Sequence, residues 1–279
     1  MKNQIIVIDK EKGYTSRDVV NKLTKILNTK KIGHTGTLDP IATGVLVCVT
    51  GKYTKLVDLI TSYEKEYIAE IKLGIMTDTL DITGNIIKKE DVKKLSVEKI
   101  EKVFKSFIGS YYQSVPKYSA IQINGKRLYE YARNNEEVEI PKRKVEIKEI
   151  ELLECDDDLI KFRVLVSKGT YIRSLIEDIC KKLKVIGTMS NLRRISQGKF
   201  SINNSYSLKD IEDNNYESLL LEEVIDLEKI EIEEELYKKV INGNKINLKI
   251  NGYVLFKKDQ IDIALYYFEN NEGRLKILF

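Results

Sequence analysis

Alternating apolar and polar residues predict several half-buried strands in this chain of 279 residues. Residues 144–147 and 160–166 alternate with a period of two, which is typical of strands that bury one face. The continuous apolar run 45–49 predicts a fully buried strand. Residues 1–8 and 63–73 are interpreted as two further strands.

Helical periodicity is found between these strands. Thr15 has an acidic residue three positions later, which indicates a helix start, and the apolar residues of 19–27 then recur on one helical face. The same spacing follows Ser96 over residues 100–107. Three shorter helices are predicted: 54–60, 128–133 and 172–179. Because strands and helices do not alternate regularly, we expect an α+β (mixed α/β) fold with an antiparallel-rich mixed sheet flanked by helices.

The composition changes near residue 226. Residues 226–235 are strongly acidic, and short apolar runs separated by turn residues follow up to residue 279. Such runs predict a small module built from strands alone. We therefore expect a main domain over residues 1–228 and a small C-terminal β-rich module over residues 229–279.

Composition argues against several classes of function. One histidine and three scattered cysteines, with no Cys-x-x-Cys pair, disfavour a metal site, a disulfide framework and a Ser-His-Asp triad. No P-loop or dinucleotide fingerprint is present, so we expect no cofactor. The net charge of +4 permits a nucleic-acid partner without requiring one. No long apolar window and no signal-peptide pattern is found, so we expect a cytoplasmic protein that does not enter a membrane.

Residues 33–44 form the most unusual segment of the chain. They include His34, the only histidine, and Asp39, which is followed by Pro40. The glycines and the proline exclude a helix interior, and a residue before proline favours extended backbone. A stiff loop that presents one carboxylate beside a buried strand suits a nucleophile or a general base. Alternatively, Asp39 only caps a turn.

Two other segments carry candidate chemistry. Residues 167–175 join a strand to a helix, with Thr170 as the expected helix cap. They place Arg173 in the first helical turn, where the helix dipole disfavours a cation, and this suggests a carboxylate partner. Residues 118–133 alternate basic residues with tyrosines, the composition of a surface that contacts phosphates and stacks on bases.

Together these segments resemble the motifs of the TruB family of bacterial tRNA pseudouridine-55 synthases. The string Gly-His-Thr-Gly-x-Leu-Asp-Pro-x-x-Thr-Gly occupies residues 33–44, and Lys-x-Tyr occupies residues 65–67. Lys-Gly-Thr-Tyr-Ile-Arg follows at 168–173 and Leu-Arg-Arg at 192–194, a string that is compatible with either a helix or a strand. The tyrosine-rich block 118–133 also matches. The resemblance implies a pseudouridine synthase domain followed by a shortened PUA-like RNA-binding module.

The resemblance also implies roles for individual residues. Asp39 is the aspartate on which the family's chemistry depends, and Arg173 pairs with it. Tyr67 stacks on the uracil and is the candidate base for the C2′ proton. The implied catalytic residues are thus Asp39, Tyr67 and Arg173, and the implied substrate-binding residues are His34, Tyr171, Leu192, Lys10, Lys126 and Arg127. His34 takes the space that a flipped base vacates.

The implied reaction converts uridine to pseudouridine at position 55 in the T-loop of tRNA, by base flipping and rearrangement of the C–N glycosidic bond to a C–C bond. Attack by Asp39 at C1′, attack at C6 and a glycal route all remain open. An insertion at about 110–145 clamps the T-arm, although Gln122 replaces the family's usual lysine there. Near the start, residues 10–16 resemble the family's Lys-Pro-x-Gly-x-Thr-Ser, with Glu11 in place of the proline. We expect a monomer without an obligatory protein partner.

Three other functions are compatible with the residues. A non-catalytic tRNA-binding protein leaves the RNA unchanged, and a nucleosidic hydrolase releases free uracil. A pseudouridine synthase with another target modifies a different tRNA loop or a messenger RNA.

Overall fold

The computed structural model describes residues 2–92 and 94–279. Its helices are α1 (Ser16–Ile26), α2 (Val57–Thr61), α3 (Val97–Lys105), α4 (Leu128–Arg133), α5 (Ile172–Leu183), α6 (Leu208–Glu212), α7 (Leu221–Val224) and α8 (Glu234–Ile241). No helix within those two ranges is long and apolar enough to cross a membrane.

The strands of the first half of the chain are β1 (Ile5–Lys10), β2 (Ile32–His34), β3 (Thr43–Thr50), β4 (Lys65–Leu73), β5 (Ile75–Thr77), β6 (Ile86–Lys89), β7 (Gly109–Ser114), β8 (Gln122–Ile123) and β9 (Lys126–Arg127). Those of the second half are β10 (Lys142–Cys155), β11 (Leu159–Val166), β12 (Gly187–Gln197), β13 (Phe200–Ser201), β14 (Leu227–Glu231), β15 (Ile246–Asn247), β16 (Gly252–Lys258), β17 (Ile261–Glu269) and β18 (Glu272–Leu278).

A mixed sheet forms the centre of the molecule. Its strand order is β1-β3-β12-β4-β11-β10-β7, with β2 added to β3 and β13 added to β12. Neighbouring strands are antiparallel except β3 and β12, which are parallel and pair Gly44 with Arg194. This confirms the predicted fold class. Residues 192–194 belong to a strand, since the antiparallel register of β12 against β4 runs through all three.

Local sequence signals place the starts of α1 and α3 correctly, whereas the helix predicted from residue 54 begins at Val57. The hydroxyl of Thr15 accepts from the Asp18 N–H at 3.0 Å, and the Asp18 carboxylate accepts from the Thr15 N–H at 2.9 Å, so α1 begins with a capping box. Helix α3 begins after Ser96, whose hydroxyl accepts from the Lys99 N–H. These contacts are local, which is why the sequence alone predicts them.

The predicted cap of α5 was wrong by one residue. Tyr171, rather than Thr170, occupies the N-cap position, and the Thr170 hydroxyl instead donates to the carbonyl of Ser167 at 2.9 Å. The side chain of Gln113 on β7 binds the main chain of Tyr171 from the other side. Its Oε1 accepts from the Tyr171 N–H at 2.8 Å, and its Nε2 donates to the Tyr171 carbonyl at 3.1 Å. A contact between distant residues therefore sets this helix start.

A second sheet, with order β14-β16-β17-β18-β15, forms the C-terminal part of the chain. The prediction of strands alone was wrong here, because helix α8 lies beside this sheet and packs against β17. Glu234 and Glu235 in the first turn of α8 suit the helix dipole, although the sequence suggested only an acidic stretch. The domain bounds 1–228 and 229–279 stay a prediction.

The central sheet is covered by helices on one face, and at β1 and β3 its other face meets the second sheet. One face packs against the helices, and its apolar cluster includes residues of α1, α3 and α5. The other face carries Ile5 and Val47, which share an apolar cluster with Leu265 of β17 and Ile277 of β18. The two sheets thus bury apolar surface against each other, which stabilises both of them.

Candidate active site

The loop between β2 and β3 presents Asp39 beside the central sheet. The neighbouring residues Leu38 and Ile41 are buried in the core. The Leu38 N–H donates to the hydroxyl of Ser16 at 2.9 Å, and the Ala42 N–H donates to the Asp39 carbonyl at 3.0 Å. The backbone on both sides of Asp39 is therefore held, and the carboxylate has a fixed place.

Arg173 binds the carboxylate of Asp39 through two contacts. Nη2 donates to Oδ1 at 2.9 Å, and Nε lies 2.9 Å from Oδ2. The Arg173 side chain is 6 % exposed and that of Asp39 is 31 % exposed. The guanidinium also donates to the carbonyls of Thr79 and Tyr118, each at 3.1 Å. Three separate segments thus fix one arginine, and the planar guanidinium fixes the carboxylate in turn.

Opposing effects act on the charge of Asp39. Burial raises the pKa of this carboxyl above its ordinary value, the Arg173 guanidinium opposes that shift, and the Asp81 carboxylate adds to it. Both oxygens of Asp39 accept N–H groups, an arrangement that only the ionised form satisfies fully. The result is a carboxylate that is partly open to solvent and more basic than an ordinary aspartate. Such a group suits attack on carbon or stabilisation of positive charge.

A large cleft lies next to this pair. It has a volume of about 1080 Å³, and its lining includes Thr79 and Tyr118, whose carbonyls bind Arg173. Ser174 and Leu128 contribute to the same lining. Most of its lining comes from residues 114–140, and neither Asp39 nor Arg173 lines it, so the cleft adjoins the pair only through the carbonyl partners of Arg173.

Family models decide the identity of the fold around this pair. Residues 24–172 match the N-terminal domain of the TruB family pseudouridylate synthases. Residues 173–230 match the C-terminal domain of tRNA pseudouridylate synthase B. The chain belongs to the TruB family. It is therefore a pseudouridylate synthase by family, as the motifs predicted.

Curated relatives agree with this TruB assignment over nearly the whole chain. The tRNA pseudouridine synthase B of Caldanaerobacter subterraneus subsp. tengcongensis is 40 % identical over 280 residues, which is 99 % of this chain and 98 % of the relative. The tRNA pseudouridine synthase B of Clostridium tetani is 44 % identical over 250 residues, or 88 % of this chain and 86 % of the relative.

Solved structures show the same fold. A Cbf5-Nop10-Gar1 complex contains a chain with a TM-score of 0.72 and 28 % identity, covering 99 % of this chain and 84 % of that one. An H/ACA RNP bound to a substrate RNA containing 2′-deoxyuridine contains another, with a TM-score of 0.69 and 26 % identity, covering 98 % and 83 %. This chain thus shares its fold with chains of these two complexes.

His34 lies at the end of β2, opposite Cys48 of β3. It is half-buried, and its Nδ1 has no hydrogen-bond partner within residues 2–92 and 94–279. Burial lowers the pKa of His34, and the charges of Arg17 and Arg194 lower it further. The imidazole is therefore favoured in its neutral form, which can stack on bases without bringing a charge.

The predicted residues Tyr67 and Leu192 lie in one apolar cluster. Tyr67 on β4 is opposite Arg194 of β12, Leu192 is two residues earlier on that strand, and both side chains are buried. The same cluster includes Leu38 of the Asp39 loop. Tyr171 lies two residues before Arg173, and burial raises the pKa of its phenol. The Asp39 carboxylate adds to that rise, which places the Tyr171 ring near it, and the roles of Tyr67, Leu192 and Tyr171 stay predictions.

Lys10 lies inside the protein. Its Nζ donates to the carbonyls of Tyr14 at 2.6 Å, Glu11 at 2.9 Å and Pro40 at 3.5 Å. Burial lowers the pKa of Lys10 to about 8. The amine therefore binds the Asp39 loop through the Pro40 carbonyl. A contact of Lys10 with substrate stays a prediction.

Lys126 and Arg127 lie on the small β8–β9 hairpin. The Lys126 Nζ binds the Glu136 carboxylate at 2.6 Å and lies 4.6 Å from the centre of the Tyr131 ring. Arg127 is exposed, and its guanidinium lies 5.9 Å from the centre of the Tyr129 ring. Both cations therefore belong to a surface segment rich in tyrosine, and their contact with RNA stays a prediction.

Sequence reasoning missed Asp81 as a member of the site. It is buried, and its Oδ1 accepts from the Thr83 N–H at 2.9 Å and from the Thr79 hydroxyl at 3.1 Å. Its charge acts on Asp39 because the turn after β5 folds over Arg173 through the Thr79 carbonyl. The only sequence signal is an aspartate in a turn, and that is too common to identify a site.

Proposed function

We propose that this chain converts uridine to pseudouridine at position 55 in the T-loop of tRNA, without a cofactor. The observation that supports this most directly is the Asp39 carboxylate, which is partly exposed and held through both oxygens by Arg173. The family is one of pseudouridylate synthases, and the relatives named above are tRNA pseudouridine synthases. The motif resemblance supplies the position.

In this reaction the N1–C1′ bond breaks, the uracil turns, and a C5–C1′ bond forms while C5 loses its proton and N1 gains one. No electron is gained or lost overall. The uridine lies within a folded loop, so it first flips out of the stack. Asp39 then attacks C1′ or C6, or stabilises positive charge on the sugar during glycal formation. In each route Arg173 keeps the carboxylate ionised and oriented.

The other residues bind or shape the flipped nucleotide. Tyr67 stacks on the uracil and removes the C2′ proton in the glycal route, while Tyr171 and Leu192 line the base pocket. The neutral His34 ring fills the space that the base leaves in the loop. Lys126 and Arg127 contact T-arm phosphates from the insertion.

The test uses unmodified tRNA whose uridines carry tritium at C5, incubated with the protein and no cofactor. We expect tritium release and a single carbodiimide-reactive pseudouridine at position 55. The Asp39→Asn variant should lose turnover by about 10⁴-fold or more, because an amide supplies no negative oxygen, while tRNA affinity persists. Asp58→Asn, at an exposed position on α2, is the matched control.

Several results would contradict the proposal. Free uracil as the product would indicate a hydrolase, and unchanged RNA would indicate a binding protein. A pseudouridine at another position would change the target. Turnover by Asp39→Asn within tenfold of the unmodified protein would remove Asp39 from the mechanism.

A further inference from the structure

Arg194 is a fully buried arginine next to the candidate site. Arg194 is 0 % exposed, and its guanidinium forms no ion pair with any carboxylate in residues 2–92 and 94–279. Burial of an unpaired guanidinium is costly unless hydrogen bonds compensate. The groups that receive its hydrogen bonds therefore indicate what it does.

Those groups are the two ends of the Asp39 loop. The Arg194 Nε donates to the carbonyl of Val45 at 2.6 Å, and Nη2 donates to the carbonyl of Gly36 at 3.1 Å. The β2–β3 ladder stops just before this point, with the Thr35 N–H donating to the Val47 carbonyl at 3.1 Å. One guanidinium thus closes the loop where main-chain pairing ends.

Gln197 on the same strand holds the residue before Gly36. Its Nε2 donates to the carbonyl of Thr35 and to the carbonyl of Ile60, each at 2.9 Å. A Cβ atom added at Gly36 would lie 3.4 Å from Nη1 of Arg194 and 3.8 Å from Oε1 of Gln197. Both side chains therefore pack closely against the loop where it leaves β2.

Gly44 lies against the main chain of Arg194 at the other end of the loop. It pairs with Arg194 in the parallel register of β3 and β12. A Cβ atom there would lie only 2.1 Å from the Arg194 carbonyl oxygen, and the φ of +99° also favours glycine. The main chains of the Asp39 loop and of β12 therefore approach so closely at Gly44 that no side chain fits there.

We propose that Arg194 is a positioning residue for Asp39: it closes the base of the 36–45 loop and so sets where the carboxylate meets the substrate. The proposal rests on the proposed function of Asp39. Because Arg194 is 0 % exposed, it acts through the loop rather than by contact with RNA. A misplacement of a reacting group by about 1 Å can cost about 100-fold in rate.

The test substitution is Arg194→Lys, which keeps the charge but replaces the rigid fork of donors by a single amine. We expect the single-turnover rate of pseudouridine formation to fall about 10- to 100-fold, while the Kd for tRNA stays within about threefold. The rate is measured below the onset of thermal unfolding of each variant. Arg193→Lys is the matched control, because Arg193 is the neighbouring residue, is 38 % exposed and pairs with Asp9 at the surface.

Arg194→Met is the second variant, because it removes both donors and should lower the rate further at the same tRNA affinity. Equal rates for Arg194→Lys and the unmodified protein would overturn the proposal. It would also be overturned if the rate and tRNA affinity fell together, or if neither variant folded, because Arg194 would then serve stability alone. Should the unmodified protein form no pseudouridine, the proposed function fails instead.

Discussion

Two arginines contact the Asp39 loop, and they differ in what they bind. Arg173, on the cleft side, binds the carboxylate itself, and its partner is 31 % exposed. Arg194, on the sheet side, is fully buried and binds main-chain carbonyls at both ends of the loop. The same planar group thus fits either two oxygens of one carboxylate or two carbonyls at the two ends of one loop.

The difference suggests a division of work at the site. Arg173 acts on the charge of Asp39, since its guanidinium opposes the rise in pKa that burial causes. The Arg194 charge lowers the pKa of His34 and of Lys10, which flank the loop. We therefore expect the ionisation of Asp39 to respond to changes at Arg173, and the environment of His34 to respond to changes at Arg194.

Among the substitutions that compare the two arginines, Arg173→Met is expected to have the largest effect. The substitution removes the only ion-pair partner of Asp39 found in the described residues, so we expect a loss of about 10²- to 10⁴-fold in the single-turnover rate. Loss of a neighbouring positive charge raises the pKa of Asp39 further, and the reaction needs the carboxylate, so the acid limb of the pH–rate profile should move to higher pH.

Arg173→Lys serves as the matched variant, because it keeps the charge and loses the two-point contact. It should retain more of the rate than Arg173→Met and show a smaller displacement of the acid limb. Activity of Arg173→Met within tenfold of the unmodified protein would contradict the role of the pair.

A smaller effect is expected for Asp81→Asn. The Asp81 carboxylate raises the pKa of Asp39, so its neutralisation should lower that pKa. Because the proposed reaction uses Asp39 in its deprotonated form, the acid limb should then move to lower pH, with a severalfold higher relative rate on that limb. The asparagine can still accept from the Thr83 N–H through its carbonyl. The pH dependence of single-turnover rates measures this.

Asp78→Asn in the same turn provides the comparison, because Asp78 binds Asn85 and is absent from the charges that act on Asp39. Its acid limb should stay where the unmodified protein has it. A shift of the acid limb to higher pH in Asp81→Asn would show that Asp81 acts by holding the turn rather than through its charge.

The smallest effect concerns His34, which can be followed by proton NMR without assignment because it is the only histidine. Its titration midpoint should lie below 6.5, since burial, Arg17 and Arg194 all lower its pKa. Arg194→Met removes one of those charges and should move the midpoint upward, whereas Arg173→Met should leave it in place. If the His34 midpoint moved equally in Arg194→Met and Arg173→Met, the proposed difference in what the two arginines act on would be wrong.

How well the sequence predicts a feature depends on how far apart in the chain the residues that form it lie. Helix α1 and its capping box depend on residues three positions apart, and the sequence signalled them. The start of α5 depends on Gln113, which lies 58 residues away from Tyr171, and there the prediction failed by one residue. Asp39 and Arg173 were predicted as partners because motif resemblance carries spatial information that a local pattern lacks.

By itself, the sequence determined the strands and helices with clear periodicity, the stiff loop that carries Asp39 and the order of the family's motifs. The tertiary structure alone decided that Asp81 acts on that carboxylate and that Arg194 closes the loop. The physical reason is that both depend on strand register and on a turn folding over a neighbour. Such contacts join residues more than 40 positions apart, and no local spacing of side chains encodes them.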